Sequence, residues 1–383
     1  MDLDLSDEQR DLETSVRDVL DHEHSVELAR RMVEEKQDAA KEVDELWTRM
    51  AALDWPSLTV PEADGGLGLG AVELAVVSEQ LGRALAPGPF LATASQFVTA
   101  VREAGSTEQR IRFLGPVAAS GVAGTFAFAE AAGSFDLEGV RTTFRPSDDG
   151  DGYVIDGVKA FVLEASRAHQ IVVVARREDS TGADGLGLFV VSAGAEGLEI
   201  KPMTALDSTR ELATVMLSSV SVESDHALGE PGSCAGVLQR ILEEATTALA
   251  AEMVGTCQGI VDILLPYAKT REQFGVKIGS FQAMKHKLAN MYVSLEATRA
   301  TVRFAAAAIA EEDDRRTLAA SMAKAAAGDC EKLIGVEGIQ CLGGIGYTWE
   351  HDMHLFVKRV RTSAALLGTA GQHRVRVADL IGL

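Results

Sequence analysis

Three groups of residues have types and spacing that could do chemistry unaided. Residues 60–70, VPEADGGLGLG, are glycine-rich in the manner of a dinucleotide loop, where bare backbone can approach a pyrophosphate. The spacing after Gly66 and Gly68 fails at Ala71, and no convincing strand precedes it, so a tight turn entering a helix is expected. His351 and His354 stand three apart, as two ligands on one helical turn could. A structural use at the start of the last helix fits them better, and no metal is expected. Cys234, Cys257, Cys330 and Cys341 form no CxxC pair, which argues against both a zinc site and a disulfide framework. Buried thiols in a reducing compartment are expected.

The elements that must position any site fall into three stretches. Residues 1–120 read as a helical domain. Ser6 and Gln9 make a capping-box pattern, and Leu74, Val77 and Leu81 recur at helical spacing. Residues 121–228 read as a β domain, with short β-type runs at 171–175, 186–191 and 214–217. Ile155-Asp156-Gly157-Val158 reads as a hairpin turn, and residues 148–152 as a polar loop between strands. Residues 229–383 return to long helices, at 235–268, 281–310 and 318–334. A cluster at Gly343-Gly344-Ile345-Gly346 interrupts them, and a last helix follows His351. The order predicts an α+β multidomain chain: an N-terminal helical domain, a middle β-barrel or sandwich, and a C-terminal four-helix bundle.

With 383 residues the chain is long enough for two or three domains with sizeable cores. The net charge of -21 argues against nucleic acid and against an acidic membrane surface. An anionic ligand would need local positive charge against that background. The acidic N-terminus, MDLDLSDEQRDLE, lacks the apolar region of a signal peptide. No apolar run approaches about 20 residues, so no membrane span is expected. The expected location is cytoplasmic.

Four segments, in order and at matching spacing, carry a family resemblance over essentially the whole chain. YAKTREQFGVKIGSFQAMKHKLANM (residues 267–291) is similar to the acyl-CoA dehydrogenase helix carrying R-x-x-F-G and then I-x-x-F-Q. QCLGGIGY (340–347) resembles that family's Q-x-x-G-G-x-G-Y loop. Residues 60–70 with LGRALAPGP resemble its N-terminal signature. AEAAGSFD (129–136) resembles a loop that usually reads T-E-P-x-x-G-S-D. The resemblance implies FAD as cofactor and an acyl-CoA thioester as substrate. It also implies electron-transfer flavoprotein or a similar acceptor as partner. Arg271 would pair with the FAD pyrophosphate as a fork of donors, and Phe274 would offer a flat face. Gln340, Gly343 and Gly344 would approach the same cofactor. Because the family site spans two subunits, an oligomer is implied, homomeric or heteromeric, with a tetramer expected.

The implied reaction removes two hydrogens from the acyl chain, a carboxylate taking the α-proton and flavin N5 the β-hydride. In a Y-E-G-T pattern the family places that carboxylate near the C-terminus; here the matching position is Leu367, followed by Gly368 and Thr369. Thr369 is carried over as a cofactor contact. The other family position, on the helix before R-x-x-F-G, falls on Ala245. Glu244 is its neighbour, Glu243 the next, and Glu252 lies two turns on. One residue is about 100° of helix rotation, so Glu244 is the candidate base only in a shifted register. The flavin-facing positions depart as well. Ala129 stands where the family has a threonine, and Phe161-Val162-Leu163 where it reads W-I-T. Ser134 is retained.

Groups lent to a neighbour's FAD are therefore intact, while those serving the chain's own flavin are eroded. The segment YTWEHDMHLFVKR (347–359) resembles a bacterial subset that includes α2β2 enzymes acting on CoA esters of steroid side chains. The favoured expectation is one half of a heteromeric dehydrogenase lacking its own base. A self-sufficient homo-oligomer using Glu244, and an oxidase-type flavoenzyme, remain open.

Overall fold

The computed structural model describes residues 3–148 and 150–383. The N-terminal third is helical: α1 (Asp7–His22), α2 (Ser25–Glu34), α3 (Lys36–Ala52), α4 (Ala71–Arg83), the short α5 (Phe90–Ala92), α6 (Val98–Ala104) and α7 (Thr107–Ser120). The capping box opens α1: Gln9 N donates to Ser6 Oγ at 3.2 Å and Ser6 N to Gln9 Oε1 at 2.9 Å. Ser106 and Gln109 repeat the device at α7. The loop at 60–70 is the tight turn expected. A side chain at Gly66 would meet the Val60 carbonyl at 2.3 Å, so its glycine serves packing.

Among the described residues eight strands follow: β1 (Gly124–Ala127), β2 (Thr143–Pro146), β3 (Gly152–Leu163), β4 (Gln170–Arg177), β5 (Leu186–Ser192), β6 (Leu198–Pro202), β7 (Leu212–Glu223) and β8 (Ala227–Gly232). They form one sheet in the order β6-β7-β3-β2-β4-β5-β8, with β1 also paired to β4. Its core includes Phe144, Ile155, Ile171, Val173, Phe189 and Val215, all buried. The polar loop separates β2 from β3 as expected; Asp149 within it lies outside the described residues. The hairpin expected at residues 155–158 is corrected: β3 runs through it, and the register against β7 shifts between Ile155 and Gly157. Asp156 Oδ1 accepts the Ser219 amide at 2.7 Å, so the Asp-Gly pair makes a bulge in one strand.

The C-terminal stretch holds α8 (Ala235–Thr270), a small hairpin of β9 (Glu272–Gln273) and β10 (Val276–Lys277), α9 (Gln282–Ala310), α10 (Arg316–Leu342), α11 (Met353–Ser363) and α12 (Ala370–Leu380). Two expectations shift. α10 runs on to Leu342, and two helices rather than one follow His351. By length and composition α8 could cross a membrane, contrary to the expectation of no such run. Its most apolar window is 78% buried within the protein, as befits a core helix. The four cysteines are free and buried.

The chain packs as two compact units. One takes Met1–Glu42, Ala71–Pro87 and Thr246–Leu383; the other takes Val43–Gly70 and Gly88–Ala245. In the first, α4 crosses α8 at glycines: a side chain at Gly82 would meet the Glu252 carbonyl at 2.0 Å, and one at Gly255 the Glu79 carbonyl at 1.8 Å. Neither position can carry even alanine without parting the helices.

Candidate functional site

In the first unit, the segment after α8 carries the expected cofactor groups on a turn. Phe274 and Gly275 both have positive φ, 54° and 77°, closing the hairpin between β9 and β10. That turn pushes the Phe274 ring out, 93% exposed, with Phe281 edge-on at 6.2 Å. Arg271 is exposed, and its guanidinium makes no hydrogen bond or ion pair among the described residues. The Tyr267 hydroxyl donates to the Leu342 carbonyl at 3.2 Å. That bond ties this segment to the end of α10, where Gln340, Gly343 and Gly344 are exposed. A side chain at Gly343 or Gly344 would meet nothing within 4 Å. Gly343 needs its glycine for a φ of 67°; Gly344 has no such need within the chain. An arginine fork, a bare aromatic face and an uncovered glycine backbone suit an anionic ligand with a flat ring system.

The turn at residues 349–352 is structural. Arg30 Nε donates to Asp352 at 2.8 Å and Arg30 Nη1 to the Trp349 carbonyl at 2.9 Å. His351 Nδ1 accepts the Met353 amide at 3.0 Å, and His354 stacks on Trp349 at 4.5 Å. His354 Nε2 also bonds the Trp349 carbonyl at 3.1 Å, so both histidines contribute to the entry to α11.

The connection from α11 to α12 carries the position matched to the base. Leu367 is buried, 7% exposed, and left-handed at φ 54°. A leucine in that region costs about 1 kcal/mol, so the surroundings must hold it. His373 Nε2 donates to its carbonyl at 2.8 Å. Lys324, fully buried on α10, donates to the carbonyls of Ser363, Ala364 and Gly368 at 3.2, 3.4 and 2.8 Å. Burial pushes Lys324 down to about 8 and His373 down to about 4. The Thr369 hydroxyl caps α12, accepting from the Gln372 amide at 3.3 Å.

In the second unit, Ala129 and Phe161 come together, because the Ala160 amide donates to the Ala129 carbonyl at 2.8 Å. Ala129 is 3% and Leu163 6% exposed. Thr125 Oγ1 donates to the Leu163 carbonyl at 2.6 Å. Phe161 is left-handed at φ 57° and half-buried, and Ser134 Oγ accepts the Asp136 amide at 3.1 Å. Beside Ala129, the buried Lys159 pairs with Glu130 at 2.9 Å. Glu164 follows Leu163, also left-handed, and burial pushes its carboxyl up to about 7 against the Glu211 amide it accepts.

Glu244 lies in the second unit, 4% exposed, with both oxygens engaged. Oε1 accepts from Thr99 Oγ1 at 2.7 Å and from Arg102 Nη1 at 3.3 Å; Oε2 accepts from Arg102 Nη2 at 2.7 Å. Glu252, in the first unit, pairs with the buried Arg359 at 2.9 Å. Both oxygens of Glu244 are thus already taken up by Arg102 and Thr99, and Glu252 is committed to Arg359. Nothing near these residues in sequence marks the groups that hold them: Arg102 and Glu244 are 142 positions apart.

Family models for the N-terminal, middle and C-terminal domains of acyl-CoA dehydrogenase match residues 6–121, 125–222 and 235–381. The chain belongs to the acyl-CoA dehydrogenase family. Members are FAD-dependent oxidoreductases acting on acyl-CoA thioesters. It is 27% identical to the probable acyl-CoA dehydrogenase fadE25 of Mycobacterium leprae, over 97% of this chain and 94% of that one. It is 30% identical to the cyclohex-1-ene-1-carbonyl-CoA dehydrogenase of Geobacter metallireducens, over 95% of each. Among solved structures it resembles the Tcur3481-Tcur3483 steroid ACAD, 30% identical, with a TM-score of 0.85 over 98% of this chain and 97% of that one.

Proposed function

We propose that this chain is the cofactor-lending half of a heteromeric acyl-CoA dehydrogenase, with the proton-abstracting carboxylate on the other polypeptide. One contrast carries the reading. Phe274, on the lending side, is 93% exposed, while Ala129, Leu163 and Leu367, on the receiving side, are 3%, 6% and 7% exposed. Among the described residues the Arg271 guanidinium makes no hydrogen bond or ion pair, and a side chain at Gly344 would meet nothing within 4 Å. Those three receiving positions are apolar and buried, while Ser134 and Phe161 are half-buried.

FAD bound in such an enzyme supplies the hydride acceptor. This chain's residues would hold it from outside: Arg271 on the pyrophosphate, Phe274 against a ring, and Gln340 with the Gly343-Gly344 backbone alongside. Leu367 cannot take a proton, and Glu244 is occupied by Arg102 and Thr99. Polarising the thioester and removing its α-proton therefore fall to the partner subunit. The likeness to a steroid ACAD and to an enzyme of a cyclohexene carboxylic thioester, both at 30%, supports CoA esters of ring-bearing acids as substrates.

The test is Arg271→Ala in the assembly purified with its partner. The assembly should persist by size-exclusion chromatography while its flavin content falls at least tenfold. Full retention of flavin would reject the reading.

A further inference from the structure

We infer that Lys324 is a positioning residue: with His373, its ammonium fixes the direction of residue 367 by holding the carbonyls on either side of it. The inference rests on the reading that position 367 belongs to the reaction centre.

The connection between α11 and α12 is short and carries two successive left-handed residues, Leu367 at φ 54° and Gly368 at φ 96°. Glycine adopts that region freely; leucine does so only when its surroundings over-determine it. The restraints come from two other helices. From α10, the Lys324 Nζ reaches the carbonyls of Ser363 and Ala364, at the end of α11, and of Gly368. From α12, the His373 N–H reaches the Leu367 carbonyl itself. Residue 367 is thereby gripped at its own carbonyl and at the next one.

Lys324 lies where the carbonyls closing α11 concentrate partial negative charge, and all three of its hydrogen bonds go to main chain. The nearby charged groups are Glu331 on the same helix and Arg376, which acts on His373. The Lys324 donors thereby reach carbonyls before and after the left-handed Leu367. The scaffold thus aims position 367, whose leucine side chain can do no proton chemistry.

A double-mutant cycle separates aiming from filling. Lys324→Met keeps the volume and removes the donors. Leu367→Gly removes the reason to be held, because glycine needs no help at positive φ. The readout is amide hydrogen exchange of residues 364–370 in the purified full-length chain. With Leu367 present, Lys324→Met should lower protection at least tenfold. In the Leu367→Gly background the same change should lower it less than about threefold. Equal losses in both backgrounds would overturn the inference. Should Lys324→Met fail to fold, His373→Gln replaces it in the same cycle with the same two outcomes. No flavin, substrate or partner enters this experiment, so its failure would leave the heteromeric reading standing, and the reverse.

Discussion

Arg102 grips Glu244 with both terminal nitrogens, Nη2 to Oε2 at 2.7 Å and Nη1 to Oε1 at 3.3 Å. Their side chains are 20% and 4% exposed. Removing one partner of such a pair strands the other charge in a poorly solvated place. Glu244→Gln should lower unfolding free energy by about 3 kcal/mol, the low end for a broken buried pair because Arg102 keeps some access to water. Urea denaturation measures it. The exposed pair of Lys201 and Glu199 is the control: Glu199→Gln should change stability by less than about 1 kcal/mol. A Glu244→Gln change as small as the control's would mean that the clasp holds nothing.

Gly344 separates a role inside the chain from one outside it. A side chain there meets nothing within 4 Å. Gly344→Ala should therefore leave the melting temperature of the isolated chain unchanged. In the assembly it should weaken flavin retention roughly tenfold, the effect of losing close backbone approach worth about 1.4 kcal/mol. Loss of stability in the isolated chain would assign the glycine to packing instead.

Two buried groups give stability opposite slopes with pH. His373 is pushed from 6.5 down to about 4, so the unfolded chain binds more protons between those values. Its contribution is full above 6.5 and is lost as pH falls through about 4, a change of up to about 3 kcal/mol. Glu164 is pushed from 4.5 up to about 7, so the folded chain binds more protons in that window. Its contribution is full below 4.5 and is lost as pH rises through about 7, again up to about 3 kcal/mol. Each masks the other near pH 5 to 6. Glu164→Gln should expose a steep loss of stability on acidification from 6.5 to 4, and His373→Gln should reverse the slope. Thermal melts at half-unit pH steps decide it; parallel profiles for both variants would contradict the assignment.

Local chemistry made much of this legible in the sequence. The Ser6 and Gln9 cap, the β runs at β4 and β5, and the turn after α10 each depend on residues within a few positions. The Asp156-Gly157 pair reads as a hairpin turn, but the same dipeptide accommodates a bulge, and only pairing with β7 decides between them. The sequence does not announce α12, because its Thr369 and Gln372 cap stands beside an alanine- and glycine-containing segment with a weak apolar stripe. The grips on Glu244 and Leu367 were invisible for another reason. Arg102, Lys324 and His373 act across the fold, and no local pattern distinguishes a lysine bound for three buried carbonyls from one bound for water.

The central claim is that this chain lends a flavin site and does not complete one. Flavin absorbance per polypeptide tests it most directly, on the chain purified alone and on the chain co-expressed with its partner. The account predicts a colourless isolated chain and one FAD for every two polypeptides in the assembly. One FAD per isolated chain, with turnover of an acyl-CoA, would contradict it.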